Sequence, residues 1–311
     1  MINLLEKLTV LENNVVSQGS IKHDLNILDR ELTKVLYSKS GRGVVISGES
    51  GSGKTTLLNK FLEKTKERFV SEGIISEPVC FDTPANTKGK AFYYNFLTTI
   101  GTPSLNSQQI ASLAEYKQVN EIKTMIVTKN IRVVVMDEFH HVTERMGDMR
   151  VKEIADELKL ILNNYPILLI FAGTNKVEDL LNNEQFMSRA TLISKKYMTI
   201  DKRKDFDEFR EYLNSLQHYA SIDGVNFNDP DIALPIFYES RGDLRQITDI
   251  LNDVITEAAM KEQTEIFKTD FKSSWKQRFK PEANKRVAFT GNPFNKTIDQ
   301  LKNALNINYD V

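Results

Sequence analysis

The segment Gly48-Glu49-Ser50-Gly51-Ser52-Gly53-Lys54-Thr55 limits what this chain can fold into more than any other stretch. It follows a short apolar run, Val44-Val45-Ile46, and opens into Thr56-Leu57-Leu58-Asn59-Lys60-Phe61-Leu62. Strand, glycine-rich loop and amphipathic helix, in that order, are the context a phosphate-binding P-loop requires. The glycines let backbone N–H groups turn inward around a phosphate chain, and the helix N-terminus adds a favourable dipole. Gly48 to Thr56 are therefore the expected binding residues for a nucleoside triphosphate. Lys54 is expected to reach the β- and γ-phosphates, and the Thr55 hydroxyl to sit on Mg²⁺. Four fixed positions match by chance in roughly one sequence in a hundred of this length at average composition. The flanking strand and helix lower that further, so a bare Gly/Ser surface turn that happens to carry a lysine is the weaker explanation.

A second run, Ile131-Arg132-Val133-Val134-Val135-Met136, ends in Asp137-Glu138. Mostly β-branched residues followed by carboxylates describe a buried parallel strand with acids at its C-terminal end. In an open α/β sheet that edge binds the ligand, and the P-loop lies at the same edge. Asp137 is then placed to hold Mg²⁺ from its outer sphere, and Glu138 to orient and polarise the attacking water. Alone, an apolar run ending in Asp-Glu means little; downstream of a P-loop it carries weight. Pro166 to Ala172 form the next buried strand, which ends at Gly173-Thr174-Asn175. A polar residue at that tip would lie between the two acids and the γ-phosphate. Thr174 and Asn175 both qualify, spacing does not separate them, and capping the helix near Val177 is the alternative use.

Around these landmarks strands and helices alternate. Pro78-Val79-Cys80-Phe81 reads as a short buried strand, and Lys196-Tyr197-Met198-Thr199-Ile200 as a fifth. That alternation predicts an α/β fold with a parallel five-stranded sheet flanked by helices. Beyond residue 202 the β runs stop, and 203–216, 229–240, 243–262 and 265–279 all show helical periodicity. The expected division is an N-terminal helical segment over 1–40, an α/β core over 41–202, a helical domain over 203–280 and a tail over 281–311, with a short helix at 297–305. The stretch from Lys268 to Arg286 is locally basic, which a solvated helix face explains before a nucleic-acid contact does. A net charge of −1 gives no global basic field, so any nucleic-acid contact must come from a local patch. The one cysteine, Cys80, cannot form an intrachain disulfide and reads as a small core residue in a reducing compartment. Met1 to Leu8 lack the pattern of a secretory signal, and no stretch approaches the roughly eighteen consecutive apolar residues a membrane span needs. A cytoplasmic protein without membrane attachment is expected.

With these pieces placed, the sequence resembles the AAA+ ATPases and, more narrowly, the TniB/TnsC group of ATP-dependent regulators of DNA transposition. The likeness rests on the P-loop with its trailing Thr-Leu-Leu and on Asp137-Glu138-Phe139-His140-His141-Val142. It also rests on Thr83-Pro84 at the end of the second strand, and on Gly173-Thr174 followed by a short acidic helix and then Arg189. It covers about residues 25–265. The resemblance implies an AAA+ core followed by a small all-helical lid, ATP and Mg²⁺ as ligands, and hydrolysis to ADP and phosphate. It implies that Arg189 projects into a neighbour's ATP site as an arginine finger, although the group's usual Arg-Phe pair is here Arg189-Ala190. Arg245, in Gly242-Asp243-Leu244-Arg245, matches the lid arginine that touches the γ-phosphate in cis. An ordinary surface arginine is the alternative at both positions. No further His or Cys has ligand spacing near His140 and His141, so hydrogen bonding around Glu138, or contact with a neighbouring subunit, is expected there rather than metal binding.

Proteins of this group assemble head to tail on duplex DNA, with the ATP site at each subunit junction. The resemblance therefore implies a ring or filament of this chain that tracks the phosphate backbone without reading bases. Thr87, Lys88 and Lys90, in the loop Asn86–Lys90, are the first contact candidates, and Lys117, Lys123 and Lys129 the second; lysines that only keep a surface soluble are the alternative. Such contacts are salt-sensitive and sequence-independent. The implied function is an ATP-switched assembly that marks target DNA and recruits a transposase and a TniQ-like targeting protein, with hydrolysis dismantling it. A clamp-loader or replication-initiator ATPase, and a nucleotide-gated scaffold that never touches DNA, share every nucleotide-site residue. Initiators usually add a helix-turn-helix domain after the lid, and residues 281–311 are too short for one.

Overall fold

The computed structural model describes residues 4, 6, 7, 11, 19–38, 40–84, 90–103, 105–145, 147–278 and 291–311. The chain divides into two compact units. One is Ile21–Lys196; the other is residues 197–311 with the described residues before position 21.

The first unit opens with helix α1 (Gly19–Tyr37) and strand β1 (Arg42–Gly48), then α2 (Lys54–Ser71) and β2 (Val79–Asp82). Helices α3 (Lys90–Ile100), α4 (Ser107–Ser112) and α5 (Glu115–Thr128) lead to β3 (Val133–Asp137). After α6 (His140–Arg145) and α7 (Asp148–Asn164) come β4 (Leu168–Gly173), a 3₁₀ turn (Asn175–Asn182), α8 (Glu184–Met187) and β5 (Ala190–Lys195). The five strands form one parallel sheet in the order β2-β3-β4-β1-β5. Every residue of β3 and β4 is buried, as is nearly all of β1, which is why these strands are near-continuous apolar runs. Register aligns the functional tips at one edge: Ser47 opposite Gly173, Gly48 opposite Lys195, and Asp82 opposite Asp137. Beneath that edge runs a chain of edge-to-face rings. Phe92 meets Phe139 at 5.6 Å, Phe139 meets Phe171 at 4.9 Å, and Phe171 meets Phe186 at 5.7 Å. Phe139, fully buried, thus anchors the turn that follows β3.

Two expectations are corrected here. The fifth strand is Ala190–Lys195, not 196–200. It lies at the sheet edge, pairs only with β1 and buries alternate residues from Ile193 on, so it carries no continuous apolar run to betray it. Cys80 is exposed rather than a core residue, because β2 is the opposite edge strand and presents Cys80 and Asp82 outward.

The second unit is helical: α9 (Arg203–Tyr219), α10 (Pro230–Ser240), α11 (Leu244–Met260), α12 (Lys268–Arg278) and α13 (Ile298–Ala304). Its core joins Phe206, Phe209, Leu213, Ile247, Leu251 and Phe271. Part of the stretch expected to be a tail belongs to this core, since Phe294, Leu301 and Ile307 are buried in it. The Tyr309 hydroxyl donates to the Ile200 carbonyl at 2.7 Å, tying the last residues down. Among the described residues no helix is long and apolar enough to cross a membrane.

Candidate nucleotide site

The glycine-rich loop joins β1 to α2 with Gly51 at φ 80° and Gly53 at φ 86°. Side chains strain in that left-handed region, so glycine is what lets the loop close on itself at both places. Gly53 caps α2, and Lys54 is its first residue. The Lys54 ammonium is buried and donates to the carbonyls of Gly48 at 2.7 Å and Glu49 at 2.9 Å. The buried Ser52 hydroxyl has no hydrogen-bond partner among the described residues. At Gly48 a Cβ would stand 2.4 Å from the Lys195 carbonyl oxygen, so β5 packs directly against the start of the loop.

Asp137, at the tip of β3, has both carboxylate oxygens engaged. The Thr55 hydroxyl donates to Oδ2 at 2.9 Å, and the Glu138 backbone N–H donates to Oδ1 at 2.8 Å. The chain then turns sharply. Glu138 has φ 52°, a left-handed conformation for a residue with a side chain, and the next N–H, of Phe139, donates to the Ala172 carbonyl at 2.7 Å. Such a conformation is held by its surroundings and is enriched where function needs it. Here the buried Phe139 and the bond to β4 hold it. The Glu138 carboxylate is half exposed, and its Oε2 lies 3.1 Å from His140 Nδ1. The alignment does not make a hydrogen bond, so this buried nitrogen has no hydrogen-bond partner among the described residues. Burial first, and then the charge of His141, lower the His140 pKa from its ordinary value against the pull of Glu138 and Glu144. Gly173, at the tip of β4, makes room for this histidine: a Cβ there would come within 2.9 Å of the His140 backbone nitrogen.

Spacing left Thr174 and Asn175 as equal candidates, and the structure places them differently. Asn175 is exposed and its amide donates to Glu49 Oε1 of the P-loop at 3.3 Å. The Thr174 hydroxyl is buried with no hydrogen-bond partner among the described residues. Lys54, Thr55, Asp137 and Glu138 therefore converge at one sheet edge, with Asn175 bonded to the loop. The loop backbone, the lysine, the hydroxyl–carboxylate pair and the unpartnered Ser52 hydroxyl fit a triphosphate with its magnesium ion.

The two arginines do not join them within this unit. Arg189 immediately precedes β5, and its carbonyl accepts from the Gly43 N–H at 2.9 Å, beside the start of β1. The P-loop leaves the other end of β1, about 20 Å away at a strand rise of ~3.3 Å per residue. The Arg189 guanidinium makes no hydrogen bond or ion pair among the described residues. Arg245 belongs to the second unit, where it lies exposed in the first turn of α11 behind the N-cap Asp243. Of the DNA-contact candidates, Thr87 and Lys88 lie outside the described residues. Lys90 donates to the Ala111 carbonyl at 2.6 Å and Lys129 to the Ile100 carbonyl at 2.7 Å, each at a helix C-terminal end whose carbonyls need donors. Lys123 pairs with Glu157 at 3.4 Å. Lys117 is exposed and has no ion pair among the described residues.

One neighbour of the loop had no signal in the sequence. Lys195, buried at the end of β5, holds the buried Asp24 of α1 at 2.8 Å. Partners 171 positions apart leave no local pattern to read.

A parallel sheet in this order, with a P-loop after β1 and paired carboxylates at the end of β3, two strands away across β4, defines the AAA+ ATPase fold class. Solved structures agree. The Aeropyrum pernix ORC1 protein in complex with DNA matches with a TM-score of 0.60 at 15% identity, covering 87% of this chain and 69% of that one. The Aeropyrum pernix ORC2 protein, in its ADPNP–ADP complexes, matches at 0.66 and 13%, covering 86% and 71%. The Thermotoga maritima RuvB Holliday junction branch migration motor matches at 0.51 and 13%, covering 84% and 70%. The family model of the bacterial TniB protein matches residues 9–196, and the chain belongs to that family. The match ends where the first unit ends. No curated protein matches.

Proposed function

We propose that this protein is an ATP-dependent, DNA-binding regulator of transposition that assembles head to tail on duplex DNA. The observation that carries the reading is the position of Arg189. It stands at the opposite strand end from the P-loop of its own sheet, with no partner for its charge among the described residues, so a nucleotide it touches belongs to another subunit. Family membership supports the transposition role.

In this reading the backbone of Gly48–Thr56 and the Lys54 ammonium bind the β- and γ-phosphates. Thr55 and Asp137 hold Mg²⁺, which when bound supplies charge neutralisation on the phosphate oxygens. Glu138 orients the attacking water and accepts its proton, Asn175 senses the γ-phosphate, and Thr174 is the weaker candidate for that role. Arg189 stabilises transition-state charge in trans, and Arg245 touches the γ-phosphate from the lid. ATP closes the junction and orders a ring or filament, which recruits a transposase and a TniQ-like targeting protein. Hydrolysis dismantles it.

Electron microscopy of the Glu138→Gln protein with duplex DNA tests this. ATP should give stable DNA-bound oligomers and ADP none; equal assembly with ADP would remove the switch. Assembly with ATP but without any use of DNA would favour a nucleotide-gated scaffold, and loading of a partner ring would favour the clamp-loader or initiator class. Lys117 is the sharpest single probe of the DNA face. Its replacement by Ala should lower the slope of log affinity against log salt by about one, and an unchanged slope clears it of phosphate contact.

A further inference from the structure

Glu138, His140 and His141 are brought together after β3. One ligand atom from each lies within 4.8 Å of the others, and no other such trio of His, Cys, Asp or Glu occurs among the described residues. Sequence spacing argued against a metal here because no further His or Cys stands nearby. The fold changes the count by supplying a carboxylate as the third donor. The left-handed turn at Glu138 is what brings its side chain back toward His140.

Two further observations point to a ligand. His140 is about nine-tenths buried, yet its Nδ1 has no hydrogen-bond partner among the described residues, a rare state for a buried ring nitrogen. That nitrogen lies 3.1 Å from Glu138 Oε2. Tetrahedral metal–ligand bonds of about 2.0–2.1 Å place neighbouring donors roughly 3.3 Å apart, so this pair already has close to the right separation. The third donor, on the less buried His141, lies within 4.8 Å of the other two, and its ring centroid is 4.2 Å from that of His140.

We propose that Glu138, His140 and His141 bind one imidazole-preferring divalent cation of the zinc class, and that this withdraws the Glu138 carboxylate from water activation. Two imidazoles with one carboxylate favour zinc, cobalt, nickel or copper over magnesium and calcium. Three protein donors leave a fourth position for water. The site is separate from the Thr55–Asp137 pair that would serve Mg²⁺. Metal binding stands independently, while its inhibitory consequence rests on the role proposed above for Glu138.

The test uses the full-length protein stripped with chelator, without nucleotide and with excess Mg²⁺. Titration with Co²⁺ should give the strong visible absorption of a four-coordinate site at one equivalent per chain. Zn²⁺, measured against a chromophoric chelator, should displace it. Losing an outer-shell partner costs metal sites roughly 10–100-fold in affinity, so losing a ligand in His141→Ala or Glu138→Gln should weaken zinc at least tenfold. Asp137→Asn should leave zinc affinity unchanged. Unchanged zinc affinity in His141→Ala, in protein shown to be folded by circular dichroism, overturns the site. So does the absence of a one-equivalent site in the wild type. One equivalent of Zn²⁺ should also stop phosphate release, and chelator should restore it; binding without inhibition removes the regulatory half. Normal hydrolysis by metal-free Glu138→Gln would instead remove the role given to Glu138 and leave the metal site standing.

Discussion

Asp137 ends β3 with 4% of its surface exposed and both oxygens hydrogen-bonded, whereas the next residue, Glu138, stands half in solvent on a left-handed backbone. The two share a charge and a sequence context. What differs is the structure around them: Thr55 and a backbone N–H fix the aspartate, while the glutamate faces His140 and His141 without a hydrogen bond to its carboxylate among the described residues. A group that holds a metal ion gains from being rigid. A group that takes a proton from water must reach the water and must move, and lids and sites of that kind come from the less stable end of a structure. The contrast fits the roles proposed above, positioning for Asp137 and chemistry for Glu138.

The largest effect that can break this contrast is on the chemistry. Glu138→Gln keeps the size of the side chain and removes the base. Phosphate release should fall about 10²–10⁴-fold while ATP binding persists, since positioned general bases contribute about that much. Phosphate-release kinetics alongside binding of a fluorescent ATP analogue would check it; loss of both together would mean that Glu138 holds the nucleotide as Asp137 does.

Next comes the geometry that presents the glutamate. Gly173→Ala places a methyl group within 2.9 Å of the His140 backbone nitrogen, and backbone there cannot swing aside as a side-chain end would. Overpacking of this kind costs about 1–3 kcal/mol. A chemical denaturation midpoint that stays at the wild-type value would show that the turn after β3 is softer than its contacts with β4 indicate. A smaller effect reports the strain itself. Glu138→Gly frees the φ of 52°, and left-handed backbone costs a side-chain-bearing residue roughly 1–2 kcal/mol. Glycine's own entropy offsets part of that, so Glu138→Gly should melt about 2–4 °C above Glu138→Gln. Equal melting temperatures would show that the turn is relaxed.

How much of this was legible in the sequence follows from the same distinction between local and distant causes. The P-loop, the β3 tip and the three buried strands announce themselves because each is a continuous local pattern. Edge strands do not: Ala190–Lys195 pairs on one side only and Cys80 points outward, so apolar content misplaced the first and buried the second. The helical second unit was legible from its periodicity. The burial of Phe294, Leu301 and Ile307 was not, because isolated apolar residues among polar ones reveal nothing until the core they complete is known. Lysines suffer most. Lys90 and Lys129 looked like a basic surface, yet each donates to a carbonyl at the end of a helix. That the histidines gather around Glu138 was one of the two readings the sequence offered; the left-handed turn that sets His140 Nδ1 beside the carboxylate needed the fold.

The smallest expected effect separates the two residues that spacing could not. The Thr174 hydroxyl is buried without a partner among the described residues, and replacing such a group by an apolar one of the same shape can be nearly neutral or stabilising. Thr174→Val should therefore shift stability by no more than about 0.5 kcal/mol, within the range of changes away from special features. It should leave phosphate release within a factor of two. Asn175→Ala removes an exposed amide that reaches Glu49 of the P-loop at 3.3 Å, so its stability cost is equally slight. Its effect on phosphate release should be larger than that of Thr174→Val at saturating ATP. Matching losses of hydrolysis in the two variants would mean that the tip of β4 acts as a unit. A loss confined to Thr174→Val would mean that the buried hydroxyl turns toward the phosphate when nucleotide binds, and that Asn175 only steadies the loop.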